Sequence, residues 1–88
     1  MKKTFTCIVY SDPSHAWAKV KRSVLINLGI DKEISPYSYQ YKDNVYLEED
    51  CDLSVLFQRL QKDDVRMKFV EKHTDGVSRI RSYERYSA

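Results

Sequence analysis

The stretch from Tyr37 to Leu60, YSYQYKDNVYLEEDCDLSVLFQRL, constrains the fold more than any other. It reads as strand, turn, strand, acidic helix start and amphipathic helix. Tyr37, Tyr39 and Tyr41 alternate with Ser38 and Gln40, which puts three phenol rings on one side of a strand. Lys42, Asp43 and Asn44 supply turn chemistry without a glycine. Val45 to Glu48 returns with Val45 and Leu47 on one face. Asp50 or Asp52 is placed to cap a helix by accepting hydrogen bonds from its first-turn N–H groups. Leu53, Leu56, Phe57 and Leu60 then fall at helical spacing and form an apolar stripe.

The other segments are expected to pack around this unit. Thr4 to Tyr10 alternates as a strand with apolar groups on both faces, the pattern of a strand inside a sheet. Ser11-Asp12-Pro13-Ser14 stops it, because proline cannot donate to a ladder. His15 to Val20 reads as a second strand and Lys21 to Leu28 as a short helix. Gly29 stands where a left-handed C-cap belongs, followed by Ile30 for the hydrophobic contact. After the second helix, Val65, Met67 and Phe69 alternate as a strand. Thr74-Asp75-Gly76 reads as a turn, and Ser78 to Tyr86 as a returning edge strand whose charges discourage aggregation. The order ββα-ββα-ββ predicts one α+β domain over residues 1–88. Its sheet of five or six mostly antiparallel strands carries two helices on one face.

Composition bounds the function. The chain has 88 residues, 32% charged, with a formal net charge of only +2, so bulk charge draws it neither to nucleic acid nor to membrane. No segment approaches the ~20 apolar residues of a membrane span, and the start has no signal-peptide pattern, so a cytoplasmic protein is expected. Cys7 and Cys51 lie far apart, in no metal-ligand spacing, and read as reduced thiols. No metal or cofactor is expected.

The runs YSDPSHAWAKV, LGIDKEISPYSYQ, VYLEEDCD and KFVEKHTDGVSRIRSYERY, in that order, resemble a family of small tailed-bacteriophage proteins. That family typically shows YSDPGHGW, an LGI segment leading to SYSY-like tyrosines, YLEEDCD and a final IRSYE. Ser14 and Ala16 stand where the family often has glycine, and Lys21-Arg22 where proline is common. The resemblance implies a phage accessory protein in the host cytoplasm and brings no assigned activity.

Three groups of residues are candidates for function. Asp12, His15 and Trp17 combine a carboxylate that can orient an imidazole with a ring that can wall a pocket. The ordinary reading is a turn with Asp12 bonded to its own backbone and Trp17 in the core. Glu48, Glu49, Asp50 and Asp52 are carboxylates of the Mg²⁺- or Ca²⁺-binding type. Their spacing is not that of an EF-hand, and acidic residues at a helix start have a sufficient reason in the macrodipole. Tyr37, Tyr39 and Tyr41, with Tyr46, Tyr83 and Tyr86, form the third group, and seven tyrosines are many for so short a chain. Tyrosine serves packing, protein interfaces and base stacking alike.

The leading expectation is an accessory protein that binds a host protein through Tyr37, Tyr39 and Tyr41 or through the loop bearing Asp12, His15 and Trp17. The second is nucleic-acid binding by tyrosine stacking, with Arg79, Arg81 and Arg85 on phosphates. The third is an enzyme centred on His15 with a cysteine or carboxylate, although no reaction centre is legible. A homodimer seam on the tyrosine face is a further alternative. Lys19, Lys21 and Arg22 read as a solvated basic patch.

Overall fold

The computed structural model describes residues 3–88. The strands are β1 (Lys3–Ser11), β2 (Ala16–Lys21), β3 (Tyr39–Tyr41), β4 (Asn44–Glu48), β5 (Val65–His73) and β6 (Glu84–Arg85). The helices are α1 (Arg22–Asn27) and α2 (Leu53–Lys62), and 3-10 turns span Asp31–Glu33 and Arg79–Ser82. The strands form one mixed, mostly antiparallel sheet in the order β5-β1-β2-β4-β3-β6. The fold is thus the expected α+β arrangement, and both helices lie on one face. Leu25 of α1 and Leu56 and Leu60 of α2 share a core cluster with Cys7, Ala18, Val20, Val45 and Leu47 from alternate strand positions.

Local chemistry explains the element boundaries. Gly29 takes φ +73°, its N–H reaches the Ile26 carbonyl, and the Ile30 N–H reaches the Leu25 carbonyl, both at 3.0 Å. This is a Schellman stop, and its hydrophobic contact joins the buried Ile30 and Leu25. Lys42 takes φ +55° in the two-residue turn between β3 and β4, a conformation available without glycine at modest cost. Among described non-glycine residues only Lys42 and Asp64 have positive φ. The loop through Ser14 therefore makes no demand for glycine.

Three expectations are corrected. Asp52 occupies the N-cap position of α2, but its side chain bonds no helix N–H. It accepts instead from the Ser35 N–H at 3.0 Å, the Ser35 hydroxyl at 2.7 Å and the Ser38 hydroxyl. Ser38 in turn accepts from the Glu48 N–H at 3.0 Å, so this buried knot ties the 34–38 connector to the start of α2. Phe57 belongs to the predicted stripe yet is 48% exposed, because the buried line of α2 narrows to Leu56 and Leu60.

The largest correction concerns the C-terminus. Residues 78–86 do not form a hairpin with β5. β5 pairs in parallel with β1, from Lys3 opposite Val65 to Ser11 opposite His73. A helix links β4 to β5 and returns the chain to the same end of the sheet, so β5 runs in the direction of β4. The chain then crosses the helix-free face as a strap. Ile80 packs against Trp17 and Tyr46, and Glu84–Arg85 pairs with β3 at the opposite edge. Tyr86 turns under that edge into the helix-side core, where its hydroxyl donates to the Asp31 carbonyl.

Candidate functional site

The strap is held by Asp12. Its Oδ1 accepts from the backbone N–H groups of Ser14 at 3.0 Å and His15 at 2.9 Å, as an aspartate before Pro13 is placed to do. The Arg81 guanidinium reaches the same carboxylate with two bonds, 2.7 and 3.1 Å, and the Ser78 N–H adds a third contact at 3.2 Å. The Arg81 guanidinium, with the loop N–H groups behind it, holds the Asp12 carboxyl far below the usual carboxylate range. Arg81 also lies 5.3 Å from the centroid of the Trp17 ring. Asp12 is 6% exposed and Trp17 2%, so of the first candidate group only His15 reaches solvent.

The tyrosines divide three ways. Tyr37 precedes β3 rather than sharing its alternation, and it is 65% exposed. Tyr39 packs edge-on to Trp17 under the strap, with the Arg85 guanidinium 5.4 Å from its ring centroid. Tyr41 is exposed and stacks on Tyr83 of the strap, with centroids 4.7 Å apart and planes 14° from parallel. Tyr46 is buried between Tyr10 and Tyr83, and burial, with those neighbouring phenols, pushes its hydroxyl up to about 12.

Charge is unevenly distributed over the sheet. Strand alternation and the registers assign Thr4, Thr6, Ile8 and Tyr10 of β1 to the strap side. With them go Trp17, Lys19 and Lys21 of β2, Asn44, Tyr46 and Glu48 of β4, and Arg66, Lys68, Val70 and Lys72 of β5. The cations there are Lys19, Lys21, Arg66, Lys68 and Lys72; Glu48 is the one carboxylate these strands place on that side, and it is buried. The strap covers the end of the face near Trp17. The other end is open, with Thr4, Thr6, Lys21, Arg66 and Lys68 exposed. An open recess of about 620 Å³ beside the strap is lined by Tyr10, Lys19, Tyr46, Arg79 and Tyr83, among others. Arg79 is exposed and pairs with no carboxylate among the described residues. Arg85 donates to the Pro36 carbonyl at 3.1 Å, and Arg81 is committed to Asp12. Of the three C-terminal arginines, Arg79 alone is therefore free to meet a ligand.

A second corner forms where the Asp12 loop meets the β4–α2 loop. Glu48 Oε2 accepts from the Asp50 and Cys51 N–H groups at 2.8 and 2.9 Å, and Oε1 lies 3.8 Å from His15 Nδ1. His15, Glu48 and Asp50 each offer a ligand atom, all within 4.8 Å of one another. Partial desolvation, reinforced by the charges of Asp50 and Glu48, raises the carboxyl of the exposed Glu49, and partial desolvation and the Glu48 carboxylate raise the thiol of the exposed Cys51. Cys7, the other thiol, is buried in the core and raised by that burial, far from this corner in the fold.

Sequence reasoning grouped Tyr83 with the tyrosines and read Lys19 as part of a solvated patch, but it missed the strap-side contributions of Tyr10, Arg66 and Lys68. The alternation of Arg66 and Lys68 with Val65, Met67 and Phe69 was a usable signal for the last two. No family model, curated protein or solved structure matches the chain.

Proposed function

We propose that this protein binds single-stranded nucleic acid across the open half of its strap-side sheet face, in the phage setting that the sequence resemblance implies. The observation carrying this reading is the segregation of charge: Lys19, Lys21, Arg66, Lys68 and Lys72 share a face whose one strand carboxylate is buried. A polyanion laid on such a face displaces its counterions, which favours association in low salt. Tyr41, exposed and stacked on Tyr83, stands at the rim of the same face with the Lys42 ammonium 5.3 Å from its ring centroid. Base stacking on such a ring needs unpaired bases, which favours single strands over duplex.

Fluorescence anisotropy with labelled oligothymidylate and oligouridylate is the test. Binding should weaken linearly with the logarithm of salt, at about −0.7 per neutralised phosphate. The double substitution Arg66→Ala, Lys68→Ala should reduce both the affinity and that slope, and Tyr41→Ala should reduce affinity alone. Absence of binding at low salt removes the proposal.

Binding of a host protein is a second reading, favoured by the 65% exposure of Tyr37 beside His15 and Cys51 at the corner recess. In that case Tyr37→Ala would abolish capture of one host partner and leave oligonucleotide binding unchanged.

A further inference from the structure

We propose that His15, Glu48 and Asp50 form a binding site for a divalent transition-metal ion of the zinc class. The site is independent of the nucleic-acid face. Its ligand atoms come from the β1–β2 loop and, more than thirty residues later, from the end of β4 and the loop after it, and they already lie within 4.8 Å of one another. One imidazole nitrogen and two carboxylate oxygens suit zinc and its first-row neighbours, whereas Mg²⁺ and Ca²⁺ prefer oxygen ligands only.

The surroundings hold these ligands in place. Glu48 is 9% exposed, and two backbone N–H groups fix its Oε2, which leaves Oε1 directed to the His15 side. The His15 N–H is bonded to Asp12, itself clamped by Arg81, so the loop bearing the imidazole is anchored at its base. Such outer contacts orient ligands and strengthen metal sites. The recess around them, about 370 Å³ and open on one side, leaves room for water in the remaining coordination positions. Trp17 lines the same recess, and its buried indole N–H has no acceptor among the described residues. Arg81 and Arg85 also border it, but their guanidiniums are engaged by Asp12 and by the Pro36 carbonyl.

Calorimetric titration of the whole chain with Zn²⁺ alone, and separately with Mg²⁺, tests this. The expected result is one Zn²⁺ per chain, bound at least about tenfold more tightly than Mg²⁺. His15→Ala and Asp50→Asn should each weaken Zn²⁺ binding by about tenfold or more. Both residues are exposed, so these variants should keep the fold, which circular dichroism would verify. His73→Ala is the control, because His73 Nε2 and the Asp75 carboxylate, 3.3 Å apart, are a competing place for an ion. Titration of the His15 ring resonances by NMR would locate the ion. No heat with Zn²⁺, equal affinity for Mg²⁺, or loss in His73→Ala with retention in His15→Ala would each overturn the proposal.

Discussion

The helix side of the sheet is filled by aliphatic side chains. Leu25, Val45, Leu47 and Leu56 have no measurable exposure, and the buried polar groups Asp52 and Ser38 are bonded to each other at the start of α2. The strap side is filled by rings, with Trp17, Tyr46, Tyr10, Tyr39 and Tyr83 grouped around Ile80. Helices α1 and α2 are ordered by their own hydrogen bonds and need only an apolar line to dock. The strap is a 3-10 turn and a two-residue strand, so it has little internal bonding to order it. What fixes it is the set of contacts at its two ends, Arg81 and Ser78 on Asp12 and Tyr86 on the helix-side core. The helix side therefore carries the stability of the domain, and the strap side carries an aromatic surface whose shape depends on one ion pair.

The largest expected effect lies on the helix side. Leu56 is fully buried, and Leu56→Ala should lower the unfolding free energy by about 2–5 kcal/mol through lost burial and the cavity left behind. Urea denaturation would measure it. A loss as small as that of a surface substitution would show that the helix layer is not the core, and would reverse the comparison.

Much of the helix side was legible in the sequence because its signals are local. Leu53, Leu56 and Leu60 repeat at helical spacing, Gly29 and Ile30 mark the end of α1, and Phe5, Cys7 and Val9 alternate along β1. The strap was not legible, because its determinant is a contact between Asp12 and Arg81, 69 positions apart. Nothing near Thr74-Asp75-Gly76 distinguishes a hairpin turn from a crossing over the sheet. Asp52 shows the same limit: a helix-start aspartate ordinarily caps, and here the serines at 35 and 38 compete for its carboxylate from another loop. The corner of His15, Glu48 and Asp50 was hidden for that reason too, since neither loop alone has a metal-ligand spacing.

Arg81→Ala sharpens the comparison at intermediate size. It should free the strap while the helix layer persists. Amide exchange would quicken at Ile80 and Tyr83, limited proteolysis would begin within residues 74–88, and Leu56-side amides would keep their protection. Acid gives the same release without mutation. The Asp12 carboxyl is depressed in the folded state, so its contribution to stability is complete above the unfolded value of about 3.9. That contribution falls away as pH drops through this value toward the folded one. Uniform loss of protection on both faces in the variant would mean that the strap and helix layers fold as one unit.

The smallest effect is spectroscopic and reads the strap side alone. Tyr46 sits under Tyr83 among phenols, and its hydroxyl is raised to about 12 by burial first and neighbouring phenols second. The neutral form is thus favoured in the folded state, so its contribution is fully present below the unfolded value of about 10 and is lost as pH rises through about 12. Absorbance titration should show Tyr46 ionising later than a free phenol, at a pH where the fold begins to open, beside Tyr86 of the helix-side core, whose hydroxyl burial also raises. In Arg81→Ala, with the strap released, Tyr46 regains water and that late step should move down toward about 10. If the late step stays in place in the variant, the strap does not control access to the aromatic surface, and the sheet alone buries Tyr46.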